Sequence, residues 1–276
     1  AVMFYFQGCP VWDVTKVTVA ALLLATFVNA LLIPATPGTE IRGLGEMYPL
    51  NGPSWSLFFE YIGNILYALI IRKFSTKALA VLVVAAGCGL AAFSIFGPYG
   101  DICAGFSLTG TEFTGGFFRL LYAFSAGLLL SRVFRPVGIR GAFWKCSLLV
   151  IFLLAVPRLG GADRLWMNGL YDTVCFALFF PLIVYWGASG KITDRYTNRV
   201  CKFLGDISYP LYMVHYPFIY LYYGWVKNEE LTFGESLPGA LAVVVGSILL
   251  AYICLKLYDE PVRRYLANRF LKSKKR

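Results

Sequence analysis

Glu60, Asn64, Arg119 and His215 are polar side chains set in long apolar runs, which makes them the first candidates for chemistry. An ionisable group in a membrane span costs roughly 2.5–3.5 kcal/mol to insert, so it is retained where it pairs, binds or reacts. Glu60 lies six residues past Ser54, and Asn64 follows one helical turn later, so carboxylate and amide share a face with Gly63 and Tyr67. At about 1.5 Å per residue Glu60 sits roughly 9 Å into its span, and a polar seam facing the bundle interior is expected. Arg119 enters another run only about five residues deep, where it would either pair with Glu60, lowering the cost of both burials, or snorkel to the surface. His215, the single histidine, falls in GDISYPLYMVHYPFIY with Ser208 and Tyr212 on the same helix face. Pro210 and Pro217 free backbone carbonyls there, which a membrane tolerates only against protein or a wet cavity. A cavity near His215 is expected, with the neutral imidazole tying helices together or carrying protons. Each residue also has a plainer reading, an interhelical hydrogen bond that holds the bundle.

The elements that must position these residues follow from the apolar runs. Of 276 residues 58% are hydrophobic and 14% charged, against roughly 25% charged in soluble domains, so a soluble fold is excluded. Runs of about 20 apolar residues fall near residues 15–35, 54–71, 78–97, 114–131, 143–157, 169–187, 207–226 and 237–258. The spacing predicts an all-α polytopic bundle of about eight transmembrane helices in a single domain over 1–276. Continuous runs exclude a β-barrel, whose strands would alternate with period two. Lys and Arg crowd into alternate connections, eighteen in one set and four in the other. Because cytoplasmic loops hold the basic excess, both chain ends are expected on the cytoplasmic side. The net charge of +10 is explained by the same rule and by a C-terminal LANRFLKSKKR suited to anionic headgroups; nucleic-acid binding is not indicated. The seven cysteines form no CxxC pair, so no disulfide and no metal site is expected.

Three segments together resemble the acyltransferase-3 family, polytopic enzymes that O-acylate bacterial surface carbohydrates and related acceptors. LNGPSWSLFFEYIGNILYAL is similar to the family's P-x-W-S-L-x-x-E signature, with Pro53, Trp55, Ser56, Leu57 and Glu60 in place. LGDISYPLYMVHYP resembles its G-x-x-S-Y-x-x-Y-x-x-H element from Gly205 to His215, and YDEPVRRY its closing E-x-P segment. The resemblance implies transfer of an acyl group, acetyl above all, from acyl-CoA (acetyl-CoA) to a hydroxyl of a glycan or lipid-linked sugar. No bound cofactor is implied; the partners are the lipid bilayer, the donor and the acceptor, and the location is the bacterial inner membrane. Glu60 and Arg119 are the expected catalytic pair, with Trp55, Ser56, Asn64, Ser208, Tyr212 and His215 around the substrate. The family's usual first helix carries an Arg and a His, the latter taken as its base, and neither is visible here. The first two family helices are therefore expected to lie upstream of Ala1. A transporter or flippase built on Glu60, Arg119 and His215 is the competing expectation, together with an inactive relative of the enzyme. The absence of matching repeated halves argues against transport.

Overall fold

The computed structural model describes residues 7–9, 17–36, 40–192 and 194–271. It is 74% helical, and its helices fall on the eight apolar runs in order. These are α1 (Val19–Ala30), α2 (Ser54–Leu69), α3 (Thr76–Phe96), α4 (Gly110–Val133) and α5 (Ala142–Ala155), then α6 (Leu165–Val174) joined by a π-turn over Cys175–Phe179 to α7 (Phe180–Ala188). They are followed by α8 (Arg195–Asn228) and α9 (Phe233–Cys254), the latter continued through a π-turn over Leu255–Asp259 into α10 (Glu260–Leu266).

Four of these rods are long and apolar enough to cross a membrane: Thr76–Phe96, Gly110–Val133, Leu165–Ala188 and Phe233–Phe270. Their outer faces expose side chains that a water-soluble protein would bury, such as Val81 at 68% and Leu241 at 60%, so the chain is a membrane protein. The remaining rods differ for physical reasons. At 12 and 14 residues, α1 and α5 reach only about 18 and 21 Å, short of a hydrocarbon layer about 30 Å thick. α8 is long, but six tyrosines between residues 207 and 226 lower its hydropathy.

The chain forms two compact units, one of Trp55–Arg199 and one of Ala1–Ser54 with Val200–Arg276. In the first, α3 packs on α4 and α6 through small residues, as membrane helices do when backbones must approach closely. A Cβ at Gly169 would lie 2.0 Å from the Ser94 carbonyl, and the buried Ser94 hydroxyl donates to Gly169 O at 3.1 Å. A two-residue parallel bridge pairs Ile139 with Gly190 and Arg140 with Lys191.

In the second unit, Leu22 and Ala25 of α1 pack with Ile41 and Leu50. Residues 40–53 are held down by buried Met47, Tyr48 and Pro49, with the Tyr48 hydroxyl donating to Leu32 O at 2.7 Å. Arg42, 6% exposed, pairs with Glu46 at 2.7 Å and lies 4.2 Å over the Tyr220 ring. Burial pushes the Glu46 carboxyl above its usual range, and Arg42 opposes that shift.

Candidate active site

The Trp55–Ser56–Phe59–Glu60 set arises at the start of α2, where four-residue spacings stack Trp55 with Phe59 and Ser56 with Glu60 as two adjacent rows on the first turns. Trp55 meets Phe59 edge-on at 5.9 Å and Phe106 at 5.3 Å. From α4 the Arg119 guanidinium lies 4.5 Å over the Trp55 ring, a cation–π contact worth about 0.5–2 kcal/mol depending on desolvation. Its Nη1 donates to Ala104 O at 2.8 Å.

The Ala104 carbonyl is itself positioned by the loop before α4. Glu112, in the first turn of α4 where a negative charge suits the helix dipole, accepts from Gly105 N at 2.8 Å and Phe106 N at 3.1 Å. Asp172 of α6 accepts from Ile102 N at 3.2 Å, and Asp101 pairs with Arg158 at 3.2 Å. Gly105 has φ +117° and faces Trp55 so closely that a Cβ would fall 2.7 Å from the indole; a side chain there is both strained and obstructed. Gly116 is equally tight, with a Cβ position 2.6 Å from the Phe59 ring.

Trp55, Ser56, Phe59, Glu60, Gly116 and Arg119 line a cavity of about 370 Å³. Four of the residues expected to act together from their sequence setting are thus on one wall or another of one space: Glu60, Arg119, Trp55 and Ser56. No Glu60–Arg119 ion pair is present among the described residues; Arg119 engages the aromatic ring and the backbone instead. Asn64 is exposed and turns back on its own helix, its Nδ2 donating to Glu60 O at 2.9 Å. Chemically the cavity offers a carboxylate that can accept a hydrogen bond from a hydroxyl and a guanidinium that can stabilise a developing negative oxygen.

The second motif is held differently, within the other unit. α8 runs unbroken through Pro210 and Pro217. Proline at 217 cannot donate to the carbonyl four residues earlier, that of Met213, and the Asn51 amide takes the place of the missing donor at 3.0 Å. The Tyr212 hydroxyl donates to Pro53 O at 2.8 Å, so the PSWSLFFE segment and the SYPLYMVH segment are joined where the first one begins. Gly52 lies beneath this contact, a Cβ there reaching 2.8 Å from the Tyr220 oxygen. His215 Nδ1 lies 3.0 and 2.9 Å from the carbonyls of Leu211 and Tyr212. Carbonyls only accept, so Nδ1 carries a proton that it donates to them. Ser208 donates to Gly205 O at 2.8 Å on its own helix. In the third motif Asp259 and Glu260 form an i,i+4 ladder with Arg263, Arg264 and Lys256.

Reading the sequence alone missed Asn51, Gly52, Ala104 and Glu112. Pro217 was the signal for the first, since it marks Met213 O as needing a donor, and the Glu112 position at a helix start was the signal for the last.

The fold and cavity define a helical membrane protein in which the Glu60 carboxylate, exposed rather than turned to the bundle interior, and the Arg119 guanidinium line one open cavity. The family model described as Acyltransferase domain matches residues 3–256, and the chain belongs to that acyltransferase-3 family. Neither the curated proteins nor the solved structures contain a match to it.

Proposed function

We propose that this acyltransferase moves an acetyl group from acetyl-CoA to a hydroxyl of a glycan or glycolipid, with Glu60 and Arg119 in its site. The observation that carries the reading is the shared cavity, in which Glu60 and Arg119 stand beside Trp55 and Ser56 in a chain of this family. The acceptor hydroxyl, held by the Glu60 carboxylate, attacks the thioester carbonyl carbon and gives up its proton to that carboxylate. The negative oxygen that forms is stabilised by Arg119; the C–S bond then breaks, and CoA leaves as its thiol with the proton returned. Trp55 orients Arg119 and offers an aromatic wall to a sugar ring.

The setting in this reading is the bacterial cytoplasmic membrane, with both chain ends inside and eight crossings, the short rods α1 and α5 being accommodated by local thinning of the bilayer. It is supported by the coincidence of eight helical rods with eight apolar runs and by the alternation of basic residues between loops. Residues 1–276 act as one integral membrane domain, a view supported by a family match that runs through both compact units.

The test is radiolabelled acetyl transfer from acetyl-CoA in acceptor-rich bacterial membranes, comparing wild type with Glu60→Gln at equal expression. Label should reach the glycan fraction in wild type and fall by about 100-fold or more in the variant, the range of a lost acid–base partner. Absence of transfer from both would turn the reading toward translocation instead.

A further inference from the structure

The Glu60–Arg119 cavity adjoins a second, larger space in the same unit, the two having lining residues in common. A groove of about 580 Å³ shares Arg119 and Ala123 with it and follows α4 as far as Val133. Tyr122, Ala126, Gly127, Leu130, Phe176 and Phe180 are among its walls. On α4 these residues recur every three or four positions, one face of the helix, and fourteen residues from Arg119 to Val133 extend about 21 Å.

Two features keep the groove open. Small side chains at Ala123, Ala126 and Gly127 lower one wall. Opposite, the π-turn over Cys175–Phe179 displaces backbone from regular helical bonding, a device found often at functional sites; the Phe176 carbonyl accepts from the Tyr122 hydroxyl at 3.0 Å, and the two rings meet at 4.9 Å.

Its chemistry selects a ligand. Among the lining residues Arg119 is the one charge and Tyr122 the one hydroxyl, the latter committed to Phe176 O. An amide-bearing chain laid here would leave each of its N–H and C=O groups without a hydrogen-bond partner, whereas a hydrocarbon loses nothing. The bilayer is as apolar as the groove, so a tail contributes fit without driving force; affinity must come from the Arg119 end, where a guanidinium suits a phosphate. Ala123 and Gly127 are exposed, which leaves a side entrance for a chain already in lipid.

We infer that the acceptor is a glycan linked to a long-chain alkyl phosphate, with its phosphate at Arg119, its tail along α4 and its sugar in the Glu60 cavity. This rests on the function proposed above, and it narrows the acceptor from any glycan to a lipid-linked one.

The experiment uses the whole chain in lipid nanodiscs with a hexadecyl phosphate bearing a photoreactive diazirine on its tail. Labelled peptides should map to α4 beyond Arg119 and to the Phe176–Val184 segment, and hexadecyl phosphate should compete while hexadecanol should not. Gly127→Leu should cut labelling about tenfold, equivalent to about 1.4 kcal/mol. A Cβ at Gly127 meets nothing within 4 Å, so Gly127→Ala adds its methyl group in open space, should keep most of the labelling and serves as the folding control. Labelling spread over all apolar helices and indifferent to Gly127→Leu would overturn the inference. In parallel, acetyl transfer to a hexadecyl-phosphate-linked sugar should exceed transfer to the same sugar phosphate lacking the tail. Equal transfer to both would sink the lipid-linked acceptor while upholding acetyl transfer; specific labelling with no transfer to either would keep the groove and reject the enzymatic reading.

Discussion

The cavity around Glu60 and the seam around Tyr212 both come from motifs of one family, yet they handle polar groups in opposite ways. In the seam, polar side chains meet backbone: Asn51 reaches Met213, Tyr212 reaches Pro53, and His215 and Ser208 turn to their own helix. In the cavity, the carboxylate of Glu60 and the charge of Arg119 face a shared space whose scaffold is bonded from behind, through Ala104, Glu112 and the Trp55 ring. A satisfied polar group holds helices in place, while a charge supported from behind and turned toward open volume is arranged to meet something that arrives. Under the proposed function the two motifs divide the labour, one meeting the substrate and the other joining chain segments.

That division can be broken by experiment, and the largest expected effect is on catalysis. Arg119→Ala should reduce acetyl transfer by about 100-fold, in line with loss of an oxyanion donor, whereas Tyr212→Phe should change the rate by less than about twofold, since it removes one structural hydrogen bond worth about 0.5–1.5 kcal/mol. Radiolabel transfer rates at matched protein level decide this, and equal losses in the two variants would erase the contrast.

A smaller effect tests the seam itself. Asn51→Ala should destabilise the protein by about 0.5–1.5 kcal/mol, because the partly buried Met213 O loses its donor. On a Pro217→Ala background the restored amide supplies that donor, and the same Asn51→Ala change should cost less than about 0.5 kcal/mol. Unfolding in detergent micelles, run as a double-mutant cycle, measures the difference; additive losses would remove Asn51 from the role assigned to it. The smallest effect belongs to Ser208→Ala, expected within about 0.5 kcal/mol of wild type by the same measurement, because its hydroxyl is exposed and bonded to its own helix.

The fold was legible in the sequence because apolar runs report helices directly. The runs at 78–97 and 143–157 coincide with Thr76–Phe96 and Ala142–Ala155 to within two residues. The run at 207–226 is the C-terminal part of a helix that begins at Arg195 and ends at Asn228, since RYTNRVCKFLGD is too polar to register as a span although it is helical. For the site, the apolar setting singled out Glu60 and Arg119 and the signature added Trp55 and Ser56, while their supports were hidden. The freed carbonyl of Met213 follows from Pro217, but the donor lies 162 residues away at Asn51, and local spacing carries no information about such a pairing. Likewise Arg119 is expected from the sequence either to pair with Glu60 or to snorkel to the surface, and it engages the ring of Trp55 and a loop carbonyl.

The π-turn at Cys175–Phe179 changes which kinds of mutation can reshape this protein. A wide turn holds one residue more than a regular one, so α7 beyond it is rotated by about 100° relative to a continuous α-helix. Point substitutions along the groove alter its width only locally. Loss of a single codon between 175 and 179 would instead re-phase Phe180, Pro181 and Val184 together and swing that wall away from α4. Relatives with a different acceptor are therefore to be sought among those whose sequences differ here in length by one residue, a change that leaves every surrounding amino acid intact.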